Sequence, residues 1–392
     1  MNTLHLIAVT TPQLAKAFIQ VPVALYRNDP NWIRPLDKDV NEVFDEKKNK
    51  AFRFGTCIRW VLKNDKGQLM GRIAAFTNKK YKNKGDDVPV GGMGFFECIN
   101  DQLAADMLLD AAKNWLQQQG MEAMDGPINF GERDRWWGLV VKGFNPPLYC
   151  MNYNHPYYAD LLGNYGFKVF YNQICFGMDP QKPLADRIIQ RHAAVCQNPD
   201  ISFSCIKKSE IEKYAQDFAT VYNKAWAGHG GLKELPVQQV VKMFKKMKPV
   251  MDERIVYFAY HKGEPICIFT NLPDLNQYFK HLNGQFGLLQ KISFFLRMKL
   301  KPTKKFNGLV FGVVPEWQGK GIDAYIIGEC ARIVQTPAKI YTEYEMQWIG
   351  DFNPKMINVA ENLADTYHSR VLSTYRFLFD REKEFVRHPM LG

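Results

Sequence analysis

Between Val313 and Ala324 the chain reads Val-Val-Pro-Glu-Trp-Gln-Gly-Lys-Gly-Ile-Asp-Ala, a stretch whose glycine spacing suits the binding of an anion. A β-type run from Leu309 to Val314 breaks at Pro315 into a glycine-spaced turn, and a helical pattern follows. Gly319 and Gly321 open backbone angles closed to other residues and let a ligand approach the main chain. The amides from Gly319 to Ile322 can then converge on a phosphate. Ile322, Tyr325, Ile326, Cys330 and Ile333 form the apolar stripe of the helix, whose dipole adds its positive end to the turn. On local physics alone, an ordinary strand-to-helix turn explains the stretch equally well.

Its residue order resembles the acetyl-coenzyme A loop of the GNAT superfamily of N-acetyltransferases, Val-x-Pro-x-x-Gln/Arg-x-x-Gly-x-Gly/Ala. Val313, Pro315, Gln318 and Gly321 fit, and Asp323 stands where the family has Gly or Ala. The resemblance implies acetyl-coenzyme A or a longer acyl-coenzyme A as co-substrate and no metal. Its binding residues would be Val313, Val314, Gln318, Gly319, Lys320, Gly321 and Ile322, with main-chain donors near Val313 and Val314 polarising the thioester carbonyl. A carboxylate one turn into that helix repels a pyrophosphate if it points inward. Either Asp323 faces away or the phosphates sit differently.

Downstream, Lys339 to Trp348 alternates in the strand manner, with Ile340, Thr342, Tyr344 and Met346 on one side and Tyr341, Glu343, Glu345 and Gln347 on the other. A helix begins at Asp351-Phe352-Asn353-Pro354 and runs to about Leu363, and a last strand covers Val371 to Phe379. This order matches the second half of a GNAT domain, in which the strands on either side of the loop splay apart around coenzyme A. Asn353 falls where the superfamily often has an Asn contacting the cofactor, and a plain helix N-cap reads as well. Many members place a Tyr seven residues further on, as the acid for the departing thiolate. Here that residue is Ala360, so Tyr344, Tyr341, Tyr367 and Tyr375 are the alternative acids. Glu343 and Glu345 would line the acceptor cleft, where a carboxylate can take the proton of an amine nucleophile; a solvated strand face is the other reading.

These residues need a scaffold, and 392 residues suggest two domains. The fold class expected is α/β with a mixed α+β sheet, in two tandem GNAT-like acyl-coenzyme A N-acyltransferase domains: 1–178 without a pyrophosphate loop, and 179–392 with one. In the first half, strands are expected over Phe54–Lys63, Gln68–Thr77, Gly92–Cys98, Ala123–Phe130 and Lys168–Phe176. Helices are expected over Leu103–Gln119, with Leu103, Met107, Leu108, Ala111, Trp115 and Leu116 inward, and over Pro156–Tyr165. Between strand and helix, Phe96-Glu97-Cys98-Ile99-Asn100-Asp101 has no glycine and two acids, a poor cradle for pyrophosphate. The second half adds strand Ile201–Ile206, helix Ser209–Trp226 with capping-box spacing, helix Val237–Met247, and strands Arg254–His261 and Glu264–Asn271. The last strand of the first half can be shared between the two.

Phe286 to Lys305 interleaves large apolar residues with Lys291, Arg297, Lys299, Lys301, Lys304 and Lys305. Such a helix either rests on an anionic membrane and admits a lipid or is a core helix with a solvated basic end. Lys and Arg total 51 against 40 Asp and Glu, a net +11 that favours polyanions, but the charge is dispersed and no nucleic-acid module stands out. No signal peptide or bilayer-spanning run is read, so a cytoplasmic protein, in peripheral contact with a membrane at most, is expected. The eight cysteines include no Cys-x-x-Cys pair and read as free thiols, most of them buried. Glu132 to Trp137 could orient an acceptor or cross-link the halves, and His229 could act as an acid or base.

Tyr26 to Pro35, Gly71 to Ala74, Gly126 to Phe130 and Tyr153 to Tyr158 resemble a family of bacterial proteins built as paired GNAT-like domains. That family is in turn similar to bacterial ceramide synthases, which implies a small-molecule or lipid amine as acceptor. A non-catalytic protein that binds coenzyme A or another ligand on the same fold is the alternative.

Overall fold

Apolar runs bounded by turn residues become strands, and among the described residues fourteen strands join one mixed sheet. The computed structural model describes residues 3–83, 85–226 and 234–391, so His229 lies outside them. The first half comprises β1 (Leu4–Ala8), α1 (Pro12–Leu25), α2 (Asp37–Val43), β2 (Cys57–Asn64), β3 (Leu69–Phe76), β4 (Val90–Cys98), α3 (Gln102–Gln118), β5 (Ala123–Gly126), β6 (Leu139–Lys142), α4 (Tyr158–Tyr165) and β7 (Lys168–Met178). There follow α5 (Asp186–Cys196), β8 (Ile201–Cys205), α6 (Ile211–Trp226), α7 (Val237–Met247), β9 (Val256–His261), β10 (Glu264–Pro273), α8 (Asn276–Phe279) and α9 (Leu288–Leu300). The chain closes with β11 (Lys305–Val313), α10 (Ile322–Val334), β12 (Glu343–Met346), β13 (Ile349–Gly350), α11 (Pro354–Glu361) and β14 (Tyr367–Leu378).

The strand order is β1-β2-β3-β4-β5-β14-β7-β12-β11-β10-β9-β8, with β13 on β7 and β6 on β14. Two pairs are parallel, β4 with β5 and β11 with β12, one in each half. The final strand, β14, returns to the first half and pairs along β5 and β7. The far end of β7 pairs with β12, Glu345 opposite Gly177, so the sheet runs unbroken from one half into the other. Two buried arginines pin β14 on either side. Arg376 is bidentate to Asp125 of β5 at 2.6 and 2.8 Å, and Arg370 reaches Glu345 of β12 at 2.7 Å.

Several expectations need correction. In α3 the inward residues are Ala104, Ala105, Leu108, Leu109, Ala112 and Leu116, while Leu103 is exposed: the alanines let the helix lie close to the sheet and push larger side chains to its flanks. The strand expected to Phe130 stops at Gly126, before Pro127, which has no N–H for a ladder. The capping box at Ser209 does not form; a 3-10 turn over Lys208–Glu210 leads into α6 instead. The strand expected over Lys339–Trp348 shrinks to Glu343–Met346, and Cys196 is exposed. Pairs of elements outside those expectations, α1 and α5 among them, complete the helical layers.

Candidate functional site

The loop after β11 is built as an open anion cradle. A single 3-10 turn, Pro315–Trp317, ends at Gln318, whose Nε2 folds back to donate to Val313 O at 3.1 Å. Gly319 and Gly321 both take positive φ, 74° and 86°, and a Cβ on Gly319 would meet nothing within 4 Å. Gly321 is the N-cap of α10, and no side chain caps the helix, which leaves its first amides for a ligand. Lys320 sits over the Trp317 ring at 5.1 Å. Asp323, the departure from the family pattern, has its charge paired: its two oxygens accept from Arg191 of α5 at 3.1 and 3.3 Å. The residues present therefore fit a pyrophosphate.

Strand pairing explains the cleft beside the loop. β11 and β12 run in parallel register from Lys305 opposite Glu343 to Gly308 opposite Met346, and Gln347 N–H still reaches Gly308 O at 3.1 Å. Beyond that the strands part. The opening is a cavity of about 190 Å³ between Leu309–Phe311 and Met346–Ile349, floored by Met356, Val359, Ala360 and Leu363. Val314 N–H is taken by Ile266 O of β10 at 3.0 Å, so of the two amides expected to polarise a carbonyl, Val314 is occupied. Alternation from Val314 turns the main chain of Val313 and Phe311 to the other edge of β11, and Phe311 lines the opening.

Across the sheet end lies a second, larger cavity of about 610 Å³ around Glu345. Its walls carry Lys280, Arg297, Lys301, Lys304, Lys305 and Arg370 against Glu343 and Glu345. Glu345 is 2% exposed and accepts from Arg370, from Ser369 Oγ at 2.9 Å and from Lys305. Burial opposes its charge, yet Arg370 and Lys305 outweigh it and hold the carboxyl down at about 2. Glu345 is thus a permanently ionised anchor. Glu343 is exposed at the rim, with no cation in ion-pair range among the described residues.

Tyr344 lines both cavities. It is 5% exposed and packs on Phe306 and Phe269, and its hydroxyl end lies against Gly308, where a Cβ would come within 2.2 Å of the oxygen. Burial first, with Cys330 adding, pushes the phenol far above the ordinary tyrosine range. It therefore holds its proton throughout the physiological range. The other tyrosines expected as acids fare differently: Tyr341 donates to Asp252 at 2.7 Å, Tyr375 packs in the first-half core, and Tyr367 is exposed at the rim of the larger cavity. Asn353 caps α11 by accepting from Met356 N–H at 3.3 Å. Sequence reasoning missed Arg370 and Lys305, because nothing local to either announces a shared buried carboxylate.

A tandem GNAT architecture is the class this fold defines. The chain matches, with a TM-score of 0.51 and 10% identity, a tandem GNAT protein from the clavulanic acid biosynthesis pathway, over 96% of this chain and 99% of that one. It also matches a glucosamine N-acetyltransferase region of a fungal multi-domain β-N-acetylglucosaminidase, with a TM-score of 0.52 and 13% identity over 96% of this chain and 38% of that one. By sequence it is 25% identical to the bacterial ceramide synthase of Caulobacter vibrioides over 378 residues, 95% of this chain and 96% of that protein. Protein YghO of Escherichia coli is 26% identical over 368 residues, 91% and 90% of the two chains. No protein-family model matches. One sequence relative is thus a ceramide synthase, and the fold is shared with N-acetyltransferases.

Proposed function

We propose that the protein is an acyl-coenzyme A dependent N-acyltransferase that acylates a primary amine, with a long-chain lipid amine as the acceptor. The acyl donor lies in the opening between β11 and β12, its pyrophosphate on the amides from Gly319 to Ile322. The amine enters the larger cavity on the other side of Tyr344. The observation that carries this reading is that Tyr344, buried and protonated, lines both the apolar cleft beside the anion cradle and the polar cavity. The lipid acceptor rests on the similarity to a ceramide synthase and on the size of the second cavity.

Each residue then has a task. The amine nitrogen attacks the thioester carbon directly, the C–N bond forms as the C–S bond breaks, and the enzyme is not acylated. Val313 N–H, on the edge of β11 that faces away from β10, donates to the carbonyl oxygen as charge develops on it. Tyr344 gives its proton to the departing sulfur and is restored by the proton that the nitrogen loses as the C–N bond forms. The cations around the larger cavity disfavour an ammonium there, so the acceptor sheds its proton on entry. Glu343 at the rim receives that proton through water, whereas Glu345, tied to two cations, holds Arg370 and Lys305 in place. Asn353 belongs to this reading only as the cap that fixes α11 beside the cleft.

One feature favours a ligand-binding protein without turnover: Ala360, where many relatives of the fold have their acid, is 2% exposed and faces the cleft. Incubation with palmitoyl-coenzyme A and a sphingoid base, followed by mass spectrometry, separates the two. The transferase forms the amide and free coenzyme A together, and Tyr344→Phe slows both. Binding without amide formation from any of a panel of short and long amines contradicts it.

A further inference from the structure

Helix α9 places its hydrophobic side in solvent. Leu288, Leu289, Ile292, Phe295, Leu296 and Leu300 are between 43 and 77% exposed, while only Phe294 is buried, against Tyr278 and Phe279. Leu288, Ile292, Leu296 and Leu300 recur at i, i+4, with Leu289 and Phe295 beside them, so an apolar face looks outward, with Lys299 set within it near the helix end. Large exposed apolar faces on a folded protein mark a binding surface. The charge around this one has a single sign: between Asp274 and Glu316 the chain has no acidic residue, and Lys291, Arg297 and Lys299 are part of the helix itself.

The same helix walls the larger cavity through Arg297. Beside it stand Lys301 and Lys304, and none of these three has a carboxylate in ion-pair range among the described residues. Glu345 answers only Lys305 and Arg370. The field they make also bears on His281, lowered by burial and then by Arg297, Lys280 and Lys301. An apolar face flanked by cations, opening on a cavity with unmatched positive charge, complements a surface that is apolar below and anionic above.

We propose that α9 lies in the interface of an anionic phospholipid bilayer and that Arg297, Lys301 and Lys304 receive the phosphate of a lipid headgroup at the mouth of the cavity. The leucines and Phe295 sink among the acyl chains, and the cavity then opens onto the membrane surface, from which a lipid acceptor enters without crossing water. The part concerning the acceptor rests on the function proposed above; the docking itself does not.

The test is co-sedimentation of the full chain with vesicles of phosphatidylcholine, with and without phosphatidylglycerol, in the absence of acyl-coenzyme A. The protein is expected to pellet with the phosphatidylglycerol vesicles, less so as salt rises, and to remain in solution with phosphatidylcholine alone. Leu289→Glu with Leu296→Glu is expected to abolish pelleting. Arg297→Glu with Lys301→Glu is expected to weaken it by about fivefold or more per cation removed. All four side chains but Arg297 are well exposed, and a thermal melt verifies that each variant is folded. Equal binding to neutral vesicles, unchanged binding in both double variants, displacement by millimolar inorganic phosphate, or self-association through α9 in place of vesicle binding overturns the proposal. Acylation of a soluble amine without vesicle binding defeats this inference alone, whereas vesicle binding without acyl-coenzyme A binding defeats the transferase reading and leaves the docking.

Discussion

The two halves share one topology and treat the same place in it in opposite ways. In the first half, β4 and β5 pair from Val90 opposite Ala123 to Gly92 opposite Asp125, and the contact then continues: Ile128 N–H donates to Met93 O at 2.8 Å. Gly94 shows how close that approach is, since a Cβ there would come within 1.9 Å of Ile128 O. In the second half the corresponding strands part after Gly308 and leave the apolar cleft. The strand-to-helix junctions differ in the same sense. Asp101 caps α3 with its own carboxylate, accepting from Ala104 N–H at 3.1 Å, and Glu97 is buried under hydrogen bonds from Tyr26 at 2.6 Å and Tyr158 at 2.9 Å. Gly321 leaves α10 uncapped. Asp101 takes one of the first amides of α3 and sets a negative charge where a phosphate would sit, so the two halves differ in the occupancy of the junction and not in topology.

Breaking the polar centre of the second half should have the largest effect. Glu345→Ala leaves Arg370 and Lys305 buried without a counter-ion and should cost about 3–5 kcal/mol of stability in urea unfolding. The first half offers the matched case, Asp125→Ala beneath Arg376, where Asp86 remains as a second partner and the loss should be smaller. A loss larger in the first half would contradict the backup role given to Asp86.

Acid sharpens the same comparison. Glu345 is depressed in the fold to about 2, so its contribution is complete above the unfolded value and disappears as pH falls through about 2. A shift of that size corresponds to about 3 kcal/mol lost from roughly pH 4.5 downward, and Glu345→Gln should flatten that part of the stability profile. Glu97 in the first half is displaced the other way, raised by burial ahead of the lowering effect of Arg72. Its contribution has the opposite sign, present at low pH and lost as pH rises above the unfolded value, so Glu97→Gln should be better tolerated near neutrality than at low pH.

On activity, Tyr344→Phe should lower kcat by roughly 10²-fold or more while the KM for the acyl donor changes little, because the hydroxyl acts on the departing sulfur and not on the bound donor. An unchanged kcat would return the role of acid to Tyr367 or to water. The smallest effect is expected at the pair behind the loop. Asp323→Asn breaks a partly exposed ion pair with Arg191 and should cost about 1 kcal/mol or less, with donor affinity nearly unaltered.

Much of this was legible in the residues because it is local. The glycine turn, the helix after it, the cap at Asn353 and the alternation that separates Tyr344 from Glu345 follow from neighbours in sequence. The return of β14 to the first half is not local: its partners on β5 and β7 lie some two hundred residues away, and no periodicity within Tyr367–Leu378 names them. For the same reason the carboxylate expected as a base, Glu345, turns out to be neutralised by Arg370 of β14 and Lys305 of β11. The inward face of α3 was misread because small residues, not large ones, meet the sheet.

Calorimetric titration of the purified chain with palmitoyl-coenzyme A and acetyl-coenzyme A, repeated with Gly321→Asp, tests the contrast between the halves most directly. Gly321 has φ 86° and a Cβ there would touch Val195 of α5 at 3.0 Å, so the variant strains the turn and adds a negative charge beside the cradle. One binding site per chain, lost in the variant, is the predicted result. Two sites, a site indifferent to Gly321→Asp, or no binding of either donor would contradict it.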